Sequence, residues 1–124
     1  MIHVKSEKEI DLLREPCKIV RDTLEFVGSK IQAGMSTREV DELVERYIRA
    51  SGANPSCLGY GGFPGSACIS INDEVIHGIP SDRRLEEGDI VKVDVGAFIG
   101  GVKDKGAFAR KVLGIFHRED RWAQ

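Results

Sequence analysis

Cysteine is scarce in this chain and poorly spaced for chemistry: Cys17, Cys57 and Cys68 are odd in number and form no C-x-x-C pair. That argues against a disulfide framework and a zinc knuckle, and leaves reduced, buried thiols as the plain expectation. No hydrophobic run approaches the ~18 residues of a membrane span. The first residues, MIHVKSEKEIDLL, carry charge throughout where a secretory leader needs an apolar stretch. Neither sign of charge dominates, since 18 basic and 20 acidic side chains give a net charge of -2. With those charges spread along the chain, neither nucleic acid nor a membrane is expected as a partner. Repeats and low-complexity tracts are missing too. The expectation is a cytoplasmic protein forming one domain over residues 1–124, and 41% hydrophobic residues suffice for a core without staples.

What is present changes its period once. Ile10, Leu13, Cys17, Val20, Leu24, Val27 and Ile31 recur at spacings of three and four, the mark of one face of a long helix. Ser6 with Glu9 is a capping-box start, and Pro16 within the pattern predicts a bend. A second helix is expected from Ser36, with Glu39 as capping partner, Val40, Leu43, Val44, Tyr47 and Ile48 on its apolar face, and Gly52 near its end. Its remaining charges alternate in sign and read as a solvated face. The two helices are placed at about 6–32 and 36–51.

After Gly52 the pattern is that of turns and strands. LGYGGFPGSA, Leu58 to Ala67, holds too much glycine and proline for a regular element. CISIN and VIHGI follow as short β-branched segments joined at Asn72, Asp73 and Glu74, and IVKVDVGAFI alternates apolar and polar as a half-buried strand does. Gly100-Gly101 permits a two-residue hairpin. The fold class is α+β: two N-terminal helices covering one face of a small antiparallel sheet, placed at about 66–113.

Three blocks, KIVRDTLEFVGSKIQAGMSTREVDELVERYI, PSCLGYGGFPGSACISINDEVIHGIP and LEEGDIVKVDVGAF, together resemble the N-terminal half of a type I methionine aminopeptidase, over roughly residues 2 to 101. The resemblance implies a pita-bread fold of two pseudo-symmetric halves with the active site between them, of which this chain would supply one half. It further implies that His77 in VIHGIP contacts the substrate's scissile region, although such a histidine by itself reads as a satisfied strand residue. Asp94 matches a metal-binding aspartate, and an aspartate in an apolar strand is costly to bury unless paired or metal-bound. Tyr60, Phe63 and Cys68 lie in segments that would line the pocket for a methionine side chain, with core packing as the alternative for each.

From Val102 onward the chain departs from that family. At the position of a second metal-binding aspartate stands Lys105, and Asp104 falls one residue early. A two-residue turn at Gly100-Gly101 would pair Ile99 with Val102 and Asp94 with Ala107, which points Lys105 toward Asp94 and Asp104 away unless the register shifts. An ammonium there would supply the charge that a metal supplies in the family. The family's remaining ligands have no matching segment in residues 106–124.

The resulting expectation is a methionine aminopeptidase-like half-domain that is catalytically incomplete, binds no cofactor, and forms a homodimer through its sheet edge and apolar face. One alternative is an active enzyme whose site is shared between two chains. It would use cobalt, manganese, iron or zinc to hydrolyse an N-terminal methionyl peptide bond. The other is a non-catalytic module that binds a peptide or protein.

Overall fold

The computed structural model describes Val4, residues 6 to 99 and the backbone of residues 107 to 116. Helices α1 (Glu7–Lys30) and α2 (Thr37–Ala50) both begin at the expected capping boxes. The hydroxyls of Ser6 and Ser36 accept from the amides of Glu9 and Glu39, whose carboxylates accept in turn from the serine amides. Each box satisfies donors that a helix start leaves unpaired. Pro16 lies inside α1 and does not end it.

Burial in α1 begins at Pro16. Ile19, Val20, Thr23, Leu24 and Val27 are buried, whereas Ile10 remains 45% exposed. The thiols divide likewise: Cys68 is buried, Cys57 is half-buried and Cys17 is exposed, so burial of all three, the plain expectation, does not hold. In α2, Val40, Val44 and Ile48 are fully buried and join the same core. Phe26 of α1 stacks on Tyr47 of α2 with ring centroids 4.8 Å apart, which closes the helix-helix seam. No helix among the described residues is long and apolar enough to cross a membrane.

Four antiparallel strands form one sheet: β1 (Asn54–Pro55), β2 (Ala67–Ile71), β3 (Val91–Ile99) and β4 (Ala107–Phe116). β4 runs along the whole of one edge of β3, and β1 and β2 share the other edge end to end. Val91, Val93, Val95 and Ala97 of β3 and Ala67, Ile69 and Ile71 of β2 enter the helix-covered core. Strand alternation therefore assigns Lys92 and Asp94, with Cys68 and Ser70, to the opposite face. α1 lies against β3 and β4, and α2 against β1 and β2.

Two expectations are corrected. Ala107 stands opposite Ile99, and Asp94 is paired with Val112, so the ladder drawn from a turn at Gly100-Gly101 does not form. A glycine pair permits a tight turn without compelling one. Lys103, Asp104, Lys105 and Gly106 are weak strand formers, and pairing takes up the β-rich run after them. A register shift between Lys92 and Val93 leaves Gly114 as the extra residue of a β-bulge. The premise that set Lys105 diagonal to Asp94 is lost, and Asp104 and Lys105 themselves lie outside the described residues.

The second correction concerns VIHGI, which is no strand. His77 has φ +59°, which breaks an extended run, and Val75, Ile76 and Ile79 are 76%, 68% and 59% exposed. The segment touches β2 through one backbone bond, Ile69 N–H to Gly78 O at 2.9 Å, and makes no ladder.

Core and surface leucines on α1 should separate cleanly. Leu24→Ala, at a side chain 1% exposed, is expected to cost about 3 kcal/mol in urea unfolding. Leu12→Ala, at 59% exposure, should stay within about 0.5 kcal/mol of the parent chain.

Candidate functional site

The helices leave one sheet face to other uses, and two of the residues expected from the sequence, Asp94 and Cys68, lie on it. Cys68 of β2 stands directly opposite Asp94 of β3, and Ser70 opposite Lys92. Directly opposed residues on one face bring their Cβ atoms to about 5 Å. Cys68 and Ser70 are 6% and 3% exposed, and Asp94 is half-buried. The carboxylate thus sits in a partly dehydrated setting where its charge acts more strongly than at an open surface.

His77 reaches this neighbourhood on the loop that leaves β2. The turn at Asn72 and Asp73 is clamped from β3's end: Asn72 Oδ1 accepts from Ile90 N–H at 2.9 Å and Asn72 Nδ2 donates to Asp89 at 3.0 Å. Farther along, Gly78 N–H donates to Ser70 Oγ at 3.0 Å. A Cβ at Gly78 would lie 2.0 Å from Ile69 O, so only glycine allows the loop this close to β2. Fitting the loop against β2 places His77 in the left-handed region. A non-glycine residue held there marks a place where surrounding structure over-determines the backbone. Its imidazole is exposed.

The glycine-rich segment borders the same region. Gly59, Gly61 and Gly62 take positive φ and form a tight 3₁₀ turn at Tyr60–Gly62 that leaves Tyr60 75% exposed and Phe63 half-buried. Tyr60 is therefore not enclosed by the described residues. The end of this segment meets the His77 loop, because a Cβ at Gly65 would fall 2.8 Å from Pro80 Cγ and 3.2 Å from Asp41 Oδ1.

Asp41 and Glu45, on the helix face read as solvated, are supports of β2 that sequence reasoning missed. One oxygen of Asp41 accepts from Ser66 N–H at 2.7 Å and from Ala67 N–H at 2.8 Å, and Glu45 accepts from Ser66 Oγ at 2.9 Å. Together they hold the start of β2, and with it Cys68. Burial pushes the Asp41 carboxyl above its ordinary value, against the pull of those two amides. Hydrogen bonds from Arg49 and then Ser66 hold Glu45 below its ordinary value. The available signal was their spacing: positions 41 and 45 each follow a buried position, 40 and 44, on one helical face.

Divalent metal chemistry needs a converging donor set, and among the described residues no group of three His, Cys, Asp or Glu side chains could hold a metal ion. Asp94 and Cys68 pair across the strands, and His77 stands apart on its loop. These residues alone do not fit a metal centre.

Comparisons with known proteins agree with this arrangement. The model of metallopeptidase family M24 matches residues 11–108. Methionine aminopeptidase 1 of Bacillus subtilis is 43% identical over 115 residues, 93% of this chain and 46% of that protein. A methionine aminopeptidase of Clostridium acetobutylicum is 47% identical over 108 residues, 86% of this chain and 43% of that protein. The crystal structure of methionine aminopeptidase from Rickettsia prowazekii superposes with a TM-score of 0.76 at 38% identity, covering 78% of this chain and 39% of that one. The chain spans less than half the length of each of these relatives.

Asp41→Ala leaves two buried amides unpaired and should cost about 3 kcal/mol in chemical unfolding. Asp41→Asn keeps an acceptor oxygen and should cost much less. A raised folded-state value makes the Asp41 contribution complete below the unfolded carboxylate value and lost as pH rises through the folded one. The parent chain should therefore gain on Asp41→Asn as pH falls through that window, and unfolding midpoints measured from neutral to mildly acid pH test this.

Proposed function

The chain belongs to metallopeptidase family M24, and we propose that it is a methionine aminopeptidase-like half-domain whose open sheet face is one wall of a peptide-binding cleft. One observation carries this reading: on the face that the helices leave uncovered Asp94 stands opposite Cys68, and the loop that bears His77 is hooked at Gly78 to Ser70 of the same face. In this reading Asp94 is the anionic anchor of the wall, and the exposed His77 imidazole meets the amide at the N-terminus of a methionyl peptide. Cys68, Tyr60 and Phe63 flank the methionine side chain. The left-handed backbone at His77 supports a functional role, since strain of this kind persists where the fold holds a side chain for a purpose.

We further infer that the chain is catalytically incomplete by itself. The support is the donor set: among the described residues one carboxylate lies on the open face of β3, and no cluster of three ligating side chains forms. Self-association belongs to the same reading. Val75, Ile76 and Ile79 expose large apolar side chains within five residues of one loop, and Tyr60 does so on the glycine-rich segment. A second copy related by two-fold symmetry would cover them, as isologous interfaces do.

Elemental analysis of protein purified without chelator, with its mass read by light scattering in the same run, tests both inferences. The expected outcome is a dimer carrying no stoichiometric divalent metal and releasing no methionine from a methionyl peptide. Stoichiometric cobalt, manganese, iron or zinc with methionine release would overturn catalytic incompleteness and favour a site shared between two chains. A monomer at all concentrations would overturn self-association.

A further inference from the structure

Lys92 is absorbed by none of the roles above, yet it joins the two halves of the candidate site. It lies on β3 two residues before Asp94, on the same sheet face, opposite Ser70. Its ammonium donates to the backbone carbonyl oxygens of Asn72, at 3.3 Å, and of Glu74. These carbonyls belong to the turn from which the His77 loop departs. The carboxylate of Glu74 is engaged elsewhere, accepting from Ile71 N–H at 2.9 Å and from Arg83 at 3.5 Å. Lys92 is thus bound to the turn's backbone, which fixes where the chain runs, and not to a side chain free to swing.

The loop is then hung at two points. At its start the Lys92 ammonium grips the turn; at its end Gly78 is hooked to Ser70 Oγ and to Ile69 N–H. Ser70 and Lys92 are themselves a cross-strand pair, so the grip on the turn and the Ser70 hook rest on one rung of the β2–β3 ladder, with Ile69 on the next. His77 lies between them, and Asp94 lies two residues along β3. We propose that Lys92 is a positioning residue: its ammonium, bridging two turn carbonyls, sets the placement of the His77 loop relative to Asp94. The significance of that placement rests on the cleft reading given above, while the tether itself does not.

Lysine suits the task chemically. An ammonium has three donors and no acceptor, so it can bridge two carbonyl oxygens at once, and bonds from a charged donor are the stronger kind. A neutral side chain of equal length would keep the packing of the stem and lose both bonds.

The test is amide hydrogen exchange on the whole chain, read residue by residue. In Lys92→Met the amides of Ile69 and Gly78, whose acceptors lie on and under the loop, are expected to exchange at least about tenfold faster, as loss of a charge-assisted contact implies. The amides of Leu24 and Val44, in the helices, should be unchanged, and Lys92→Arg should restore protection at Ile69 and Gly78. Unchanged exchange at those two amides in Lys92→Met, or acceleration spread evenly over helices and sheet, would overturn the proposal. In the unsubstituted chain, Lys92 should react with an amine-directed reagent several-fold more slowly than the exposed Lys18, because a bonded ammonium is withheld from attack. Equal rates would likewise overturn it. Neither readout uses metal or peptidase activity. Lack of activity therefore leaves the tether standing, and loss of the tether leaves the family assignment standing.

Discussion

The period-two alternation of β3 is the constraint on which the rest of the structure depends. Val91, Val93, Val95 and Ala97 are 3% exposed or less and meet the helices, so the residues between them are committed to the other face. A slip of one residue would put Lys92 and Asp94 into the core and the valines into solvent, at a cost no other contact in a domain of this size could offset. The register to β2 is consequently as firm as the core itself. That register is what places Cys68 opposite Asp94 and Ser70 opposite Lys92.

Everything on the open face is then arranged by attachment to this frame. α2 supplies Asp41 and Glu45, which hold the start of β2 by its amides and by Ser66. β2 supplies Ser70 and the edge at Ile69, against which Gly78 is seated. β3 supplies Lys92, which holds the turn at Asn72 and Glu74. Loops usually carry function because a rigid scaffold positions them, and here the scaffold contacts of the His77 loop can be named one by one. Several of the apolar side chains that remain exposed, Tyr60, Val75, Ile76 and Ile79, belong to these loops, and others, Ile10 and Leu12, lie on the first turns of α1. The buried face makes the domain stable, and the open face is the one proposed above as a cleft wall.

Much of this was legible in the residues. Both capping boxes, the apolar face of α2 and the strand from Val91 to Ile99 rest on spacings of two to four residues and recur in the structure, and the resemblance to methionine aminopeptidases, carried by three longer blocks, is matched by the comparisons. The two errors in the fold arose where distant segments compete. VIHGI has strand composition, but the close seating of Gly78 on Ile69 O and the left-handed His77 prevent a ladder. Gly100-Gly101 has turn composition, but pairing begins opposite Ile99 at Ala107. Asp94 and His77 were singled out by motif, whereas Asp41 and Lys92 looked like ordinary surface charges because their partners lie elsewhere in the chain.

The sequence by itself determined the helices, their starting points and the two faces of β3, since caps and periodicity act over a single turn or a few alternating residues. Only the tertiary structure decided which strand segment pairs with β3, where the His77 loop is pinned and which charges turn inward to hold it. Those outcomes depend on contacts between segments that no helical turn or strand alternation links, from Gly78 with Ser70, eight residues apart, to Asp41 with Ser66, 25 apart. Each is settled by which arrangement buries the valines while satisfying the most backbone amides, a balance no local window contains.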